Sequence, residues 1–213
     1  MRILYIDTTT SYLYTGLVVD GKLVAQVKED FGKDLSSVAL KKISEMLDNI
    51  NFKPNDIDKI IVVNGPGSFT GIRVGVTIAK TYAYSLKKEI ITITSLEVMA
   101  VSNSEDTFKV PIIDARRGYV YGAIFNNQNQ IVLKPQYIKL DAIKCAVENL
   151  IGNFTYISNQ NFDGIDTIGY DPDIEKVVNI FVNRESVNPH AVDPIYLKLT
   201  EAEEKQALEI IWF

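Results

Sequence analysis

Two groups of residues in this chain have the type and spacing to do chemistry. The first lies in NGPGSFTGIRVGVTIAK (64–80), where Gly65, Pro66 and Gly67 run into Ser68, Thr70 and Gly71 at the start of a helical pattern. Backbone N–H groups in such a loop, feeding a helix N-terminus, suit a phosphate. The run lacks the Gly-Lys-Ser/Thr ending of a P-loop, so it is not that motif. The second is a pair of carboxylates, Asp7 and Asp114, each closing an apolar run. Hard oxygen ligands of that kind suit magnesium held with a nucleotide better than a tightly bound transition metal. Against these stand two scarcities, since His190 is the single histidine and Cys145 the single cysteine. A zinc or iron site of the HxxxH kind needs two imidazoles a helical turn apart, so no metal site is expected. A Ser–His–Asp device would have to use His190, in the Pro-flanked VNPHAVDP, where nothing resembles a nucleophile turn. Cys145, in LDAIKCAVENL, is expected at a buried helix position and excludes an internal disulfide.

The elements that must position these residues follow from periodicity. RILYID (2–7) is a buried strand, LYTGLVV (13–19) returns, Asp20-Gly21 makes a tight hairpin, and KLVAQVKE (22–29) alternates. Residues 35–50 place Val38, Ala39, Met46, Leu47 and Ile50 at helical spacing, with Asp34 or Ser36 as cap. KIIVVN (59–64) is a strand, the glycine-bearing loop leads into a helix ending near Leu86, EIITIT (89–94) is a strand, and SLEVMAVS opens a short helix. A helix at 141–150, a strand at 154–158 and a helix at 173–183 follow the second meander, and the tail EAEEKQALEIIWF has a helical composition.

The chain also repeats itself. IIDARRGYVYGAIF (112–125) matches YIDTTTSYLYTGLV (5–18) at an offset of 107, which sets Asp7 on Asp114, Tyr12 on Tyr119 and Tyr14 on Tyr121. An offset of half the length argues duplication. Two copies of meander, helix, strand and helix predict an α/β protein with the duplicated ribonuclease-H-like fold of actin and Hsp70 ATPases. Its halves, 1–103 and 104–213, would each hold a mixed sheet flanked by helices. In such folds the aspartates ending the first strands face the cleft between the halves, so Asp7, Thr8, Asp114, Arg116 and Arg117 are candidate cleft residues and nucleotide contacts. The fittings of an ATPase are missing, however. The first hairpin turn reads DTTTSY without glycine, and none of the twelve glycines is followed by another, so no Gly-Gly pair can slide against adenosine.

The helix after the loop carries Gly71, Gly75, Ala79 and Ala83 in a narrow stripe at every fourth residue. Glycine inside a helix costs about 1 kcal/mol against alanine, so Gly75 needs a packing reason. Two are open: the helix lies on its own sheet, or it meets a helix of another subunit, with Ile72, Val76, Lys80, Tyr82 and Tyr84 completing the contact.

Composition sets the outer bounds. Apolar residues make up 46% and charged residues 23%, as in an ordinary globular chain, and net charge is −5. Residues 150–213 hold four Lys/Arg against eleven Asp/Glu, or −7, which leaves +2 for the first 149. No basic stripe of the kind that neutralises a phosphate backbone runs along the chain. No apolar run approaches the ~20 residues of a membrane span, and MRILYIDTTT has no signal-peptide cleavage region. The expected location is cytoplasmic, away from membranes.

YIDTTT, NGPGSFTGIRVGVTIAK, TSLEVMA (94–100), DARRGYVYGAIF (114–125) and PIYLK (194–198) resemble, in order and spacing, the bacterial TsaB family, formerly YeaZ. The similarity spans most of the chain and is weakest over 126–190. The resemblance implies a pseudoenzyme with no catalytic residues, cofactor or metal of its own. It implies a heterodimer with TsaD, which supplies the ATP and metal site, and a ternary complex with the P-loop protein TsaE. That assembly places threonylcarbamoyl on the adenosine beside the anticodon of tRNA, which this chain meets only through the complex. Alone, such a chain is expected to form a homodimer. The contact helices map to 35–50 and about 70–86, so the expected partner interface is Leu35, Val38, Ala39 and Met46 with Gly71, Ile72, Gly75, Val76, Ala79, Lys80, Tyr82 and Ala83. Relatives often carry His-Ser at the start of the first helix, echoing a metal ligand of TsaD; Leu35-Ser36 stands here. The alternative reading is an actin-fold ATPase or kinase using Asp7 and Asp114.

With this charge, unmodified tRNA should bind the purified chain only weakly at physiological salt. A filter-binding or anisotropy titration giving a submicromolar Kd would contradict that expectation.

Overall fold

The computed structural model describes residues 1–104 and 106–198, so the helical reading of the tail lies outside the described residues. The first half runs β1 (Arg2–Asp7), β2 (Tyr12–Val19), β3 (Lys22–Asp30), α1 (Leu35–Asn49), β4 (Lys59–Val63), α2 (Phe69–Leu86), β5 (Glu89–Ile93) and α3 (Ser95–Ser102). The second runs β6 (Phe108–Asp114), β7 (Tyr119–Phe125), β8 (Ile131–Lys139), α4 (Leu140–Glu148), β9 (Phe154–Ile157), β10 (Thr167–Ile168) and α5 (Ile174–Phe181). The sheets are ordered β3-β2-β1-β4-β5 and β8-β7-β6-β9-β10, one strand order twice. In both, the meander is antiparallel and the last two strands join in parallel. The duplication read from Asp7 and Asp114 is therefore a duplication of topology.

The copies differ in one element. The first half has α2 between its fourth and fifth strands, whereas residues 158–166 join β9 to β10 without a helix. β10, only two residues long among polar neighbours, has no periodicity a sequence could reveal; parallel pairing with Tyr156 and Ile157 defines it.

The last helix of each half crosses to the other side. α3 packs on β6 and β7, where Leu96, Met99 and Ala100 meet Ala123, Phe125 and Ile157. α5 packs beneath β1, β2 and β3, burying Ile174, Val177, Val178 and Phe181 against Ile3, Tyr5, Tyr14 and Val18. A capping box starts α3, with Thr94 and Glu97 satisfying each other's backbone N–H groups. Glu97 also takes the Arg184 guanidinium at 2.5 Å, tying the start of α3 to the residue just beyond α5.

α2 explains the small-residue stripe and corrects the interface expectation. Gly71, Gly75, Ala79 and Ala83 are all buried, and so are Ile72 and Val76. A Cβ at Gly71 would stand 2.0 Å from the Thr8 carbonyl oxygen, and one at Gly75 would stand 2.4 Å from Thr8 Oγ1. The stripe lets α2 settle on the end of its own β1. Leu35, Ala39 and Met46 of α1 are core residues as well. Of the twelve expected interface residues, Val38, Lys80 and Tyr82 are half-buried and the other nine are buried. Periodicity identified the apolar faces of both helices, but those faces close the domain's own core.

Two smaller expectations also change. Cys145 is exposed, because α4 buries Ile143 and Val147, and position 145 falls on the opposite side of a 3.6-residue helix. Asp34 stands at the N-cap of α1, but its side chain caps nothing; Ser37 Oγ donates to the Asp34 carbonyl instead.

Alanine at Gly75 should therefore destabilise the protein by about 1–3 kcal/mol through overpacking against Thr8. Were the stripe open, the same change would stabilise α2 by about 1 kcal/mol. Denaturant melts of Gly75→Ala, Thr8→Ala and the double variant decide the sign. Relief of the Gly75→Ala cost in the Thr8→Ala background is the expected coupling.

Candidate functional site

Residues 64–71 wedge into the first hairpin. Gly65 adopts φ +116°, and a side chain there would also meet the Ile195 carbonyl oxygen at 2.8 Å; the bond from it to Pro66 is cis. Gly67 is needed for a different reason than backbone angle, since its Cβ would lie 2.3 Å from the Thr9 carbonyl oxygen. Ser68 N donates to that same Thr9 oxygen at 2.7 Å, and Thr8 Oγ1 donates to the Gly71 carbonyl at 2.7 Å. Ser68 Oγ caps α2 by accepting from Gly71 N at 3.3 Å, the role expected of Ser68 or Thr70. Ser95 N and Oγ hold the Gly65 and Pro66 carbonyls from the other side. The loop looked built for phosphate, yet it is built around Thr8 and Thr9.

Asp7 and Asp114 part company here. Asp7 is 4% exposed, and its Oδ1 accepts from Thr9 N and Thr9 Oγ1, each at 2.8 Å. Tyr5 Oη approaches Oδ2 at 3.4 Å. Burial raises the Asp7 pKa, while the bonds from Thr9 and Tyr5 oppose the rise. Asp114 is exposed, accepts from Arg116 N at 2.8 Å, and takes its own N–H to Gln160 Oε1. Only Asp114 lines the cleft between the halves, a cavity of about 450 Å³. Its other walls are the hairpin residues Thr9–Tyr12, Tyr14, Pro66–Ser68, Met99, Ile113, Tyr121, Ser158–Gln160 and Tyr170. Burial and the nearby Asp7 charge raise the Tyr14 pKa to about 12, and the same causes raise Tyr170. Both phenols therefore enter the cleft neutral, as hydrogen-bonding groups on apolar walls.

The remaining cleft candidates lie elsewhere. Thr8 is fully buried under α2. Arg116 and Arg117 are exposed on the β6–β7 turn, outside the cleft lining, and both hold left-handed backbone angles (φ 68° and 56°). Neither arginine makes an ion pair among the described residues. The described residues also contain no group of three His, Cys, Asp or Glu side chains placed to share a metal ion.

Sequence reasoning missed the strap after α5. Val187 N bonds the Ile90 carbonyl at the open edge of β5, and Ile195 N bonds the Asn64 carbonyl at 2.7 Å. Asn64 Nδ2 donates to the Asp193 carbonyl, and Lys80 Nζ reaches the His190 carbonyl and Asp193. His190 sets its ring edge-on against Tyr84, a packing role. PIYLK was the visible signal, but its docking site is the NGPG loop 130 residues earlier.

A separate groove of about 300 Å³ opens on the outer side of α1 and α2. Leu40, Thr77, Ile78, Thr81, Tyr82, Ser85 and Leu86 line it, almost wholly through apolar atoms. Among the described residues no helix is long and apolar enough to cross a membrane.

Two sheets of one topology, exchanged last helices and a cleft headed by Asp114 define a duplicated ribonuclease-H-like protein of the actin-like class. Residues 28–161 match the family model described as TsaD: tRNA N6-adenosine threonylcarbamoyltransferase. The tRNA threonylcarbamoyladenosine biosynthesis protein TsaB of Bacillus subtilis is 32% identical, over 96% of this chain and 97% of its own. Its namesake in Escherichia coli K12 is 31% identical over 65% and 64%. A solved structure described as similar to peptidase YeaZ, from Pseudomonas aeruginosa, superposes with a TM-score of 0.75 at 17% identity, covering 92% of this chain and 99% of that one. The chain belongs to the TsaB family of tRNA threonylcarbamoyladenosine biosynthesis proteins.

The raised Asp7 pKa fixes the sign of a pH effect. The native state holds this proton to a higher pH than the unfolded chain does, so Asp7 lowers stability as pH climbs from the unfolded value near ~3.9 through the native one. Asp7→Asn keeps an oxygen for Thr9 N and removes the charge. It should equal or exceed wild-type stability at pH 7 and lose that advantage below pH ~4. Urea melts at several pH values check this; a variant weakened at pH 7 contradicts it.

Proposed function

We propose that this chain is a non-catalytic subunit that organises TsaD in the making of threonylcarbamoyladenosine on tRNA. The observation that carries the reading is the wedge of 64–71 into the first hairpin. An actin-like ATPase grips phosphate through backbone N–H groups of that hairpin and a free carboxylate beneath it. Here Thr9 N and Thr9 Oγ1 hold Asp7, Thr8 Oγ1 holds Gly71, and Ser68 N holds Thr9. Groups engaged with one another do not reorganise around a γ-phosphate without breaking the seat of α2.

The outer groove of α1 and α2 supports the partner role. It replaces the small-residue stripe as the contact surface and keeps Tyr82 from the expected set, now beside Leu40, Thr81 and Leu86. Apolar grooves flanked by polar helix positions are the cores of helix–helix interfaces. On this reading the ATP and metal belong to TsaD, TsaE joins as a third subunit, and the chain pairs with itself through the same groove when alone. It works in the cytoplasm and needs no cofactor.

A second reading rests on Asp114 and Gln160 at the mouth of the cleft, which leave room for a nucleotide served by one carboxylate. Reconstitution separates the two. With TsaD, TsaE, ATP, threonylcarbamoyladenylate and unmodified tRNA, modification should require this chain. It should survive Asp114→Asn and fall at least tenfold with Leu40→Glu, which places a charge in the apolar groove. ATP turnover by the isolated chain that disappears on Asp114→Asn would establish the enzyme reading instead.

A further inference from the structure

The turn of Arg116 and Arg117 leads into a face that adjoins the cleft at Tyr121 and lies apart from the α1–α2 groove. Tyr119 of β7 stands directly across from Lys139 of β8, and Tyr121 across from Tyr137, so all four side chains share one face of the second sheet. The Tyr119 and Tyr137 rings stack at 4.5 Å with 7° between their planes, and Tyr121 meets Tyr137 at 5.9 Å. Lys198 Nζ lies 5.7 Å from the Tyr137 ring centre. Tyr121 and Lys198 then form one wall of a groove of about 600 Å³. Its other wall holds Arg73, stacked 3.7 Å over Phe69 and bonded through Nε to the Tyr196 hydroxyl at 2.8 Å.

Basic side chains gather on and beside this face: Arg73, Arg116, Arg117, Lys139 and Lys198, none of which makes a salt bridge among the described residues. Arg116, Arg117, Lys139 and Lys198 are exposed. A net charge of −5 conceals them from any whole-chain argument. Unpaired cations would suit an acidic peptide as well as a phosphate chain. Tyrosines stacked in a ladder among those cations favour nucleobases, because rings bind bases by stacking while the cations follow the backbone.

We propose that the tyrosine face of β7 and β8, together with the Arg116–Arg117 turn, binds single-stranded RNA. Resting on the function proposed above, it is the surface by which this subunit holds an unpaired stretch of the tRNA within the complex. Affinity is low in isolation, since a handful of cations on an acidic protein neutralise few phosphates. The contact becomes effective once a partner fixes the rest of the tRNA beside it.

The test has two arms, both with unmodified tRNA transcript as probe. In the first, the isolated chain at low salt is cross-linked to the transcript by ultraviolet light and the adducts are mapped. Adducts on Tyr119, Tyr121 or Tyr137 are expected. In the second, affinity is measured for the complex with TsaD. Tyr119→Ala should weaken it about tenfold by loss of stacking, and Tyr119→Phe should leave it unchanged. Arg116→Glu/Arg117→Glu should weaken it by a similar factor and flatten the salt dependence by about one unit of slope for each phosphate no longer neutralised. The arginine pair lies on an exposed turn, so it decides the matter even if Tyr119→Ala melts. Failure to pair with TsaD would overturn the proposed function and leave the cross-linking arm to decide this one. Adducts confined to other surfaces overturn the proposal, and so does unchanged affinity in the arginine and alanine variants. Displacement of the transcript by oligoglutamate, with no adduct on the rings, overturns it in favour of an acidic protein partner.

Discussion

The rest of this structure depends on how closely α2 approaches the end of β1. Thr8 supplies both the carbonyl that Gly71 must clear and the hydroxyl that Gly75 must clear, and that hydroxyl then bonds back to the Gly71 carbonyl. Any side chain on this side of the helix would lift it from the sheet and open the core of Ile6, Val62, Ile72, Val76 and Ala79. One close contact thus fixes the pitch of α2, the path of the 64–71 loop and the shape of the first hairpin. The engagement of Asp7 with Thr9 belongs to the same arrangement. A hairpin pressed from above by Gly67 and Ser68 turns its polar groups toward its own neighbours.

The two halves are joined by more than their sequence connection. Each lends its last helix to the other sheet, and the strap after α5 returns to close the edge of β5 and cover the glycine-bearing loop. Arg184, itself exposed, reaches over the buried Glu97 and links the two exchanged helices, so losing the arginine leaves a poorly solvated carboxylate.

The proposed contacts lie on outer surfaces of the molecule. The inner faces of α1 and α2 make core and leave an apolar groove outside, where a subunit contact is proposed. On the second sheet, tyrosines and basic side chains stand along β7 and β8, where an RNA contact is proposed.

The sequence alone determined much of this. Alternating and continuous apolar runs located nine of the ten strands, and all five helices were read from the sequence, α1 and α2 by a spacing that burial of one face imposes. The match of Asp7, Tyr12 and Tyr14 to Asp114, Tyr119 and Tyr121 exposed the duplication, and the lone histidine narrowed the chemistry. What only the tertiary structure decided were questions of facing. A stripe of Gly71, Gly75, Ala79 and Ala83 states that something comes close, and only the position of Thr8 states what. Two equivalent aspartates proved inequivalent because Thr9 bends back over one and solvent reaches the other. The strap escaped notice because its partners, Asn64 and Ile90, are a hundred residues away, and hydrogen bonds over that separation leave no periodic trace. Local pattern records which side of an element is apolar; the partner on that side is chosen by the packing of the whole chain.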